Sequence, residues 1–272
     1  MKQVFLLVAT LLPGFTTWAQ DDVKGSVEGG LHGGITQFYG DVSSGLFNWK
    51  QKGLVLGLHG RYNINSKLTA KLSFTYGRIN GDDALSKSKY QQYRNINFRT
   101  AIKEFSLVCE YNILGYSSGS KRKYPGMEMM RFSPYVFTGV DLYFFTPKSQ
   151  VGGTYYKVKT LDTELGKKYS NFNLSIPLGA GVKYSPINLW TLGFEVGMRK
   201  TFTDALDDVA GYYADYNTVR DDQGEIAAIL SDPSRLKGNA IQKTGARGNP
   251  RSKDWYMFIS LSITKKLYFK NY

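Results

Sequence analysis

A single cysteine, Cys109, stands among 272 residues, so the chain can form no intramolecular disulfide. It has only two histidines, His32 and His59, and no His-x-x-x-His spacing of the kind that holds zinc. The expected role of each is a hydrogen-bonded interior histidine. Proline is scarce, at 8 residues, which leaves the backbone N–H groups free for strand ladders. Helical stripes are nearly absent. Beyond the N-terminus no apolar run reaches the ~20 residues that a membrane-crossing helix needs. Acids are the minority charge, 22 against 35 lysines and arginines, for a formal net charge of +13. No Ser–His–acid arrangement stands out. No enzymatic activity, cofactor or nucleic-acid partner is expected.

The one long apolar run, Val4 to Leu12, follows Lys2 and precedes Pro13-Gly14, with small residues at Thr17 and Ala19. It reads as a secretory signal peptide over 1–19, cleaved after Ala19, with 20–272 a single domain. A membrane anchor would have a longer run and different flanks. No cysteine stands at the cleavage point, so a lipoprotein is excluded. Loss of Lys2 takes the charge from +13 to +12.

What is abundant is glycine (29), tyrosine (20) and phenylalanine (16), set in period-2 alternation. In NFNLSIPLGAGVKY the even positions Phe172 to Tyr184 are wholly apolar and the odd positions small or polar. NLWTLGFEVGMRK repeats this: Trp190, Leu192, Phe194, Val196 and Met198 on one face, Thr191, Gly193, Glu195, Gly197 and Arg199 on the other. Only Ser185-Pro186-Ile187 separates the two, which predicts a hairpin. The same template predicts eight strands, near 25–40, 53–63, 67–79, 98–113, 131–145, 171–184, 188–202 and 254–270. Connections alternate between mostly short (64–66, 114–130, 185–187) and long (41–52, 80–97, 146–170, 203–253). Outer-membrane barrels have short periplasmic turns and long external loops. The expected fold is therefore an all-β, eight-stranded antiparallel transmembrane outer-membrane β-barrel, multi-pass, with both termini periplasmic. A soluble barrel with its apolar face inward shares the alternation. The signal peptide and the aromatics at strand ends, including Tyr272, favour the membrane.

An eight-stranded barrel has an interior that side chains just fill. The inward acids are Glu28, Glu104, Glu110, Asp141 and Glu195; the inward bases are Arg61, Lys71, Lys183 and Arg199. Buried charges need partners, so this set predicts a plug of crossed ion pairs. Inward glycines, Gly57, Gly77, Gly139, Gly179, Gly181, Gly193 and Gly197, make room for it. A diffusion pore needs about sixteen strands.

The seventh predicted strand leads into TFTDALDDVAGYYADY, residues 201–216. Its aspartates, Asp204, Asp207 and Asp208 foremost, are a weak metal candidate, because their spacing does not follow a calcium-binding EF-hand loop. The expected role of Asp204 is to cap a short helical turn, DALDDVAGYY. As exposed loop carboxylates they are expected to lack the burial that raises a pKa. Residues 235–253 carry six bases and no acid: Arg235, Lys237, Lys243, Arg247, Arg251 and Lys253. A mobile basic loop touching anionic lipid or lipopolysaccharide is expected there.

The chain resembles the PorG-like outer-membrane β-barrel family of Bacteroidetes, part of the type IX secretion system. EGGLHGGITQFYGDV, FRTAIKEFSLVCEYN, FSPYVFTGVDLYFFTPKS, SIPLGAGVKY and FEVGMRKTFTDALDDVAGYY carry the resemblance in order, from Glu28 to Tyr213. Its most specific piece is Thr203, Asp204, Leu206, Asp207, Asp208 and Val209; Ala205 stands where the family pattern has an aromatic. Residues 217–253 carry no match. The resemblance implies a non-enzymatic component of the type IX machinery that anchors or docks a periplasmic ring, built from a lipoprotein and its partner subunit. The 114–130 connection, with Lys121, Arg122 and Lys123, is the candidate docking turn. The alternatives are a stand-alone small barrel, ligand-binding or structural, and an outer-membrane lipid-modifying enzyme.

Overall fold

The computed structural model describes residues 25–43, 48–116, 132–166, 169–187, 189–238, 245–249 and 251–267. The leader, Lys121, Arg122 and Lys123, Lys243 and Tyr272 lie outside these. The strands are β1 (Ser26–Tyr39), β2 (Gly53–Asn63), β3 (Leu68–Asp82), β4 (Asn97–Asn112), β5 (Phe132–Val151), β6 (Thr154–Lys157), β7 (Phe172–Ile187), β8 (Trp190–Thr201) and β9 (Trp255–Leu267). Eight of them close an antiparallel barrel in the order β4-β3-β2-β1-β9-β8-β7-β5, and β5 pairs back to β4. The seam between the chain's first and last strands runs from Val27 opposite Leu267 to Tyr39 opposite Trp255. Closure leaves no barrel strand with an unpaired edge.

The period-2 pattern has its physical meaning here. On β4 the even positions from Phe98 to Asn112 are buried, while Phe105, Leu107 and Tyr111 project outward. Leu56, Leu72, Leu142, Leu174, Leu178 and Leu261 extend the apolar exterior around the wall. Tyr62, Tyr111, Phe132, Tyr184 and Trp190 ring the short-turn end. Leu178 is 65% exposed. In water such a surface would aggregate; in a bilayer it faces acyl chains while the ladders pair the backbone of neighbouring strands around the wall.

Three strands outrun their predicted ends, β3 by running on to Asp82. β5 continues to Val151 and folds back into β6, a ninth strand, with Lys148 opposite Lys157 and Val151 opposite Thr154. Pro147 lies between the last β7 partner, Phe144, and the first β6 partner, Lys148. On that side the missing N–H removes no ladder bond. β7 runs through Pro186 to Ile187, with a register irregularity after Tyr184, and Leu189 turns the chain at φ 77°.

Helices occur only in the long loops among the described residues: α1 (Lys89–Arg94), α2 (Tyr216–Gln223) and α3 (Glu225–Ser231). Asp215 caps α2, its carboxylate accepting from the Thr218 N–H at 2.9 Å. The expected helical turn over 204–213 is absent. That stretch is an irregular segment folded onto the barrel mouth.

Candidate functional site

The lumen is built in layers. Nearest the short turns, Glu28 accepts from the Asn63 amide at 3.0 Å and from the Tyr116 hydroxyl at 3.0 Å. Neutral donors thus satisfy a carboxylate expected to sit in an ion pair. In the middle lies Glu110, fully buried, with Lys183 Nζ at 2.6 Å, Lys71 Nζ at 3.2 Å and Arg61 Nε at 3.3 Å. Lys71 also reaches Glu195 at 2.5 Å, and the Tyr135 hydroxyl donates to the same carboxylate at 2.8 Å. Higher up, Arg199 pairs with Glu104 at 3.2 Å and lies 3.9 Å from Asp141, while Tyr256 donates to Glu104 at 2.7 Å. The two histidines line the middle layer. Their Nδ1 atoms are 3.4 Å apart, and their Nε2 atoms bond Thr75 at 3.1 Å and Thr264 at 2.9 Å.

Glycines set the clearances. Gly179 and Gly197 are cross-strand partners, and the Phe137 ring lies over both. A Cβ at either would come within 2.5–2.7 Å of that ring, closer than side chains pack.

Both ends of the lumen are stoppered. At the short-turn end Tyr116 turns inward; its hydroxyl meets Glu28 and, at 2.8 Å, Thr191. The Lys183 ammonium stands 4.5 Å above its ring. At the long-loop end Phe38, Phe98, Phe145, Tyr256 and Phe258 pack with Val42, Leu206 and Val209 as one apolar cluster. Between the stoppers a cavity of about 20 Å³ borders both histidines, Lys71, Glu195 and Arg199. That is room for about one water molecule, and too little for a substrate.

Asp204, Asp207 and Asp208, expected to be exposed, are instead parts of the upper stopper, while Asp215 is exposed as expected. Asp207 is 2% exposed and accepts from the N–H groups of Val42 (3.3 Å) and Val209 (3.0 Å). Asp254, 1% exposed, accepts from the Leu206 N–H at 2.9 Å. Asp41 accepts from the Asn249 N–H at 2.7 Å. Asp208 takes the hydroxyls of Thr163 (2.6 Å) and Tyr169 (2.8 Å). Burial, then the charge of Asp41, pushes the Asp207 carboxyl well above the usual range. Burial, then the charge of Asp207, does the same at Asp254. Burial also raises Asp208, against the pull of Arg247. The short polar side chains staple the irregular backbone of 203–209, whose amides have no ladder to join.

The signature residues therefore share one task. Leu206 and Val209 are the buried apolar plug, Asp207 and Asp208 hold their backbone, Asp204 is buried beside them, and the Thr203 carbonyl accepts from the Asp254 N–H at 3.1 Å. Asp207 and Asp208 face different partners, and no metal-holding group of three His, Cys, Asp or Glu side chains forms among the described residues. Two arginines unsignalled by periodicity lock the cap. Arg247 donates to Glu164 (2.9 Å), Ser231 O (3.1 Å), Leu230 O (3.2 Å) and Asp208 O. Arg94 forks onto Asp83 at 2.7 and 3.0 Å. Arg247 is thus buried where a mobile, lipid-touching loop was expected, and Arg235 lies over the Tyr216 ring at 3.9 Å. Tyr116 also went unforeseen, because a lone tyrosine beyond a strand end carries no periodic signal.

A closed eight-stranded antiparallel barrel with an apolar exterior and a charged, filled interior is an outer-membrane-type barrel. The chain belongs to the family described as Domain of unknown function (DUF6089), whose model matches residues 2–226. No curated protein matches it. Among solved structures it is similar to the N-terminal β-barrel domain of Pseudomonas aeruginosa OprF, at 11% identity and TM-score 0.37, covering 90% of this chain and 98% of that one. It is similar also to the outer membrane protein OprG of the same organism, at 9% identity and TM-score 0.39, covering 90% and 98%. A major outer membrane protein of Thermus thermophilus matches at 11% identity and TM-score 0.41, covering 89% and 99%.

Proposed function

We propose that this protein is a non-enzymatic outer-membrane subunit of the type IX protein secretion machinery, anchoring or docking the periplasmic ring of lipoprotein and partner subunit. The observation that carries the reading is the sealed lumen. A barrel with Tyr116 across one end, an aromatic cluster across the other and a cavity of about 20 Å³ between them acts through its outer surfaces rather than by conduction. The secretion role itself is supported by the resemblance of the segments from Glu28 to Tyr213, whose most specific run forms the upper stopper. The first and last described residues, Gly25 and Leu267, lie at the short-turn end of the barrel, the end that is periplasmic in barrels of this type. The β4–β5 connection, carrying Lys121, Arg122 and Lys123, leaves at that same end and is the expected ring contact.

An affinity pull-down of the tagged protein from detergent-solubilised membranes, read by mass spectrometry, tests this. Recovery of the ring lipoprotein and its partner, lost on reversing the charges of Lys121, Arg122 and Lys123, is the expected result. A barrel recovered alone would overturn the secretion role in favour of a stand-alone barrel.

A further inference from the structure

The outer wall changes character at its long-loop end, and does so on one side only. Pairing places the outward residues of β3, β4 and β5 in rows. Tyr76 stands opposite Lys103, and Lys103 opposite Phe144; Arg78 stands opposite Ala101, and Ala101 opposite Thr146; Asn80 stands opposite Arg99, and Arg99 opposite Lys148. Lys52 joins from the start of β2, its carbonyl accepting from the Asn80 amide at 3.2 Å. Lys157 on β6 lies directly opposite Lys148. Six cations thus crowd a few adjacent rows. No carboxylate pairs with any of them among the described residues. The nearest acid on this face, Asp82, is one row higher and caps the Ala84 N–H at 2.9 Å. Within β7, β8, β9 and β1 the only outward cation at the long-loop end is Lys200.

The arrangement is unfavourable for the barrel alone. Like charges directly across a ladder repel, as at Lys148 and Lys157. The Arg99 guanidinium lies 4.3 Å from the Tyr155 ring, yet its Nε, shielded from water, has no acceptor. Immediately below these rows the surface is purely apolar: Phe74 and Phe105 rings lie 4.7 Å apart, with Leu107 and Leu142 beside them. An amphiphile with a multiply anionic head and several acyl chains meets both demands.

We propose that this face clamps the phosphorylated headgroup of an outer-leaflet glycolipid of the lipopolysaccharide type. Arg78, Arg99, Lys103 and Lys148 hold phosphate oxygens, and the acyl chains lie along Phe105, Leu107 and Leu142. Arginine and lysine at the level where the apolar belt ends match the headgroup plane, and each phosphate supplies the acceptors that the wall lacks. The clamp shares with the functional reading only the outward placement of the long loops.

The test uses the full chain in detergent micelles, titrated with bis-phosphorylated lipid A and with the same lipid after phosphate removal. The wild type binds the phosphorylated form and discriminates against the other. R78Q/K103Q/K148Q weakens binding by about a hundredfold, at about fivefold per charge, while K200Q stays within about twofold because it lies off the patch. Heat-modifiable gel migration checks that each variant is folded. Should the triple variant not fold, R78Q and K103Q alone decide, each expected to weaken binding about fivefold. Equal affinity for both lipids, an unchanged folded variant, or an equal loss in K200Q overturns the clamp. Micellar binding needs no ring subunit, so this result and the pull-down fail independently.

Discussion

Replacing Glu110 with glutamine removes the anion on which three buried cations converge, at 2.6, 3.2 and 3.3 Å. Stripping a buried charge of its partner costs about 3–5 kcal/mol. Each cation keeps one other acceptor: Lys183 the Asn112 amide oxygen at 2.9 Å, Arg61 the Thr264 hydroxyl at 3.2 Å, Lys71 the Glu195 carboxylate at 2.5 Å. The lower end, about 3 kcal/mol, is therefore expected. Glu195→Gln is the internal comparison. Its carboxylate is 17% exposed and bridges only Lys71, which retains Glu110. Solvent screening and the surviving partner hold that loss to about 1 kcal/mol. Urea unfolding of the barrel in phospholipid vesicles, followed by tryptophan fluorescence and heat-modifiable migration, measures both. A second arm adds Lys183→Met. The double variant with Glu110→Gln should lose at least about 1 kcal/mol less than the two single losses combined, because the neutralised pair no longer strands a charge. If Glu110→Gln costs less than Glu195→Gln, or the two substitutions are simply additive, the layered ion-pair account of the lumen is wrong.

Gly179→Val places a branched side chain where the Phe137 ring lies. A loss of about 2–3 kcal/mol is expected in the same unfolding assay, and a neutral result would refute the packing described. Asp254 carries a raised pKa beside Asp207, so its contribution to stability falls as pH rises from about 4 through the folded-state value. Asp254→Asn keeps an oxygen for the Leu206 N–H and removes the charge. The variant should melt higher than wild type at pH 8 and gain nothing at pH 4, and a lower melting point at pH 8 would contradict the repulsion. Arg247→Met removes four hydrogen bonds from the cap. Chymotryptic nicking within 203–253 should quicken about tenfold or more, at about 1.4 kcal/mol per decade of opening. The barrel should stay intact; unchanged kinetics would show that Arg247 does not hold the loop.

The barrel was legible because its physics is periodic. A wall with lipid on one side and packed charges on the other writes alternation into every strand. The inward acids and bases from Glu28 to Arg199 fall on that beat, and so do the glycines at 179 and 197. The ends of strands were less legible. β5 runs past Pro147, which pairs with Thr100 on β4 and turns its missing N–H to the other side, between the β7 and β6 ladders. The cap was misread for a deeper reason. Local composition makes Asp207, Asp208 and Arg247 look like solvated loop residues, yet each is buried by segments distant in sequence: Val42, Thr163, Tyr169 and Glu164. No short-range pattern encodes that meeting. The same holds for Tyr116, whose place in the lumen depends on Glu28 and Thr191 from strands at the other side of the chain.

The claim on which the rest depends is that the lumen is closed. Planar-bilayer recording of the purified barrel tests it directly. The account predicts a flat baseline with no stable conductance steps, from a lumen stoppered by Tyr116 below and by Leu206, Val209 and the aromatic cluster above. A reproducible ohmic channel in the wild-type protein would contradict it, and with it the reading that this barrel works through its surfaces.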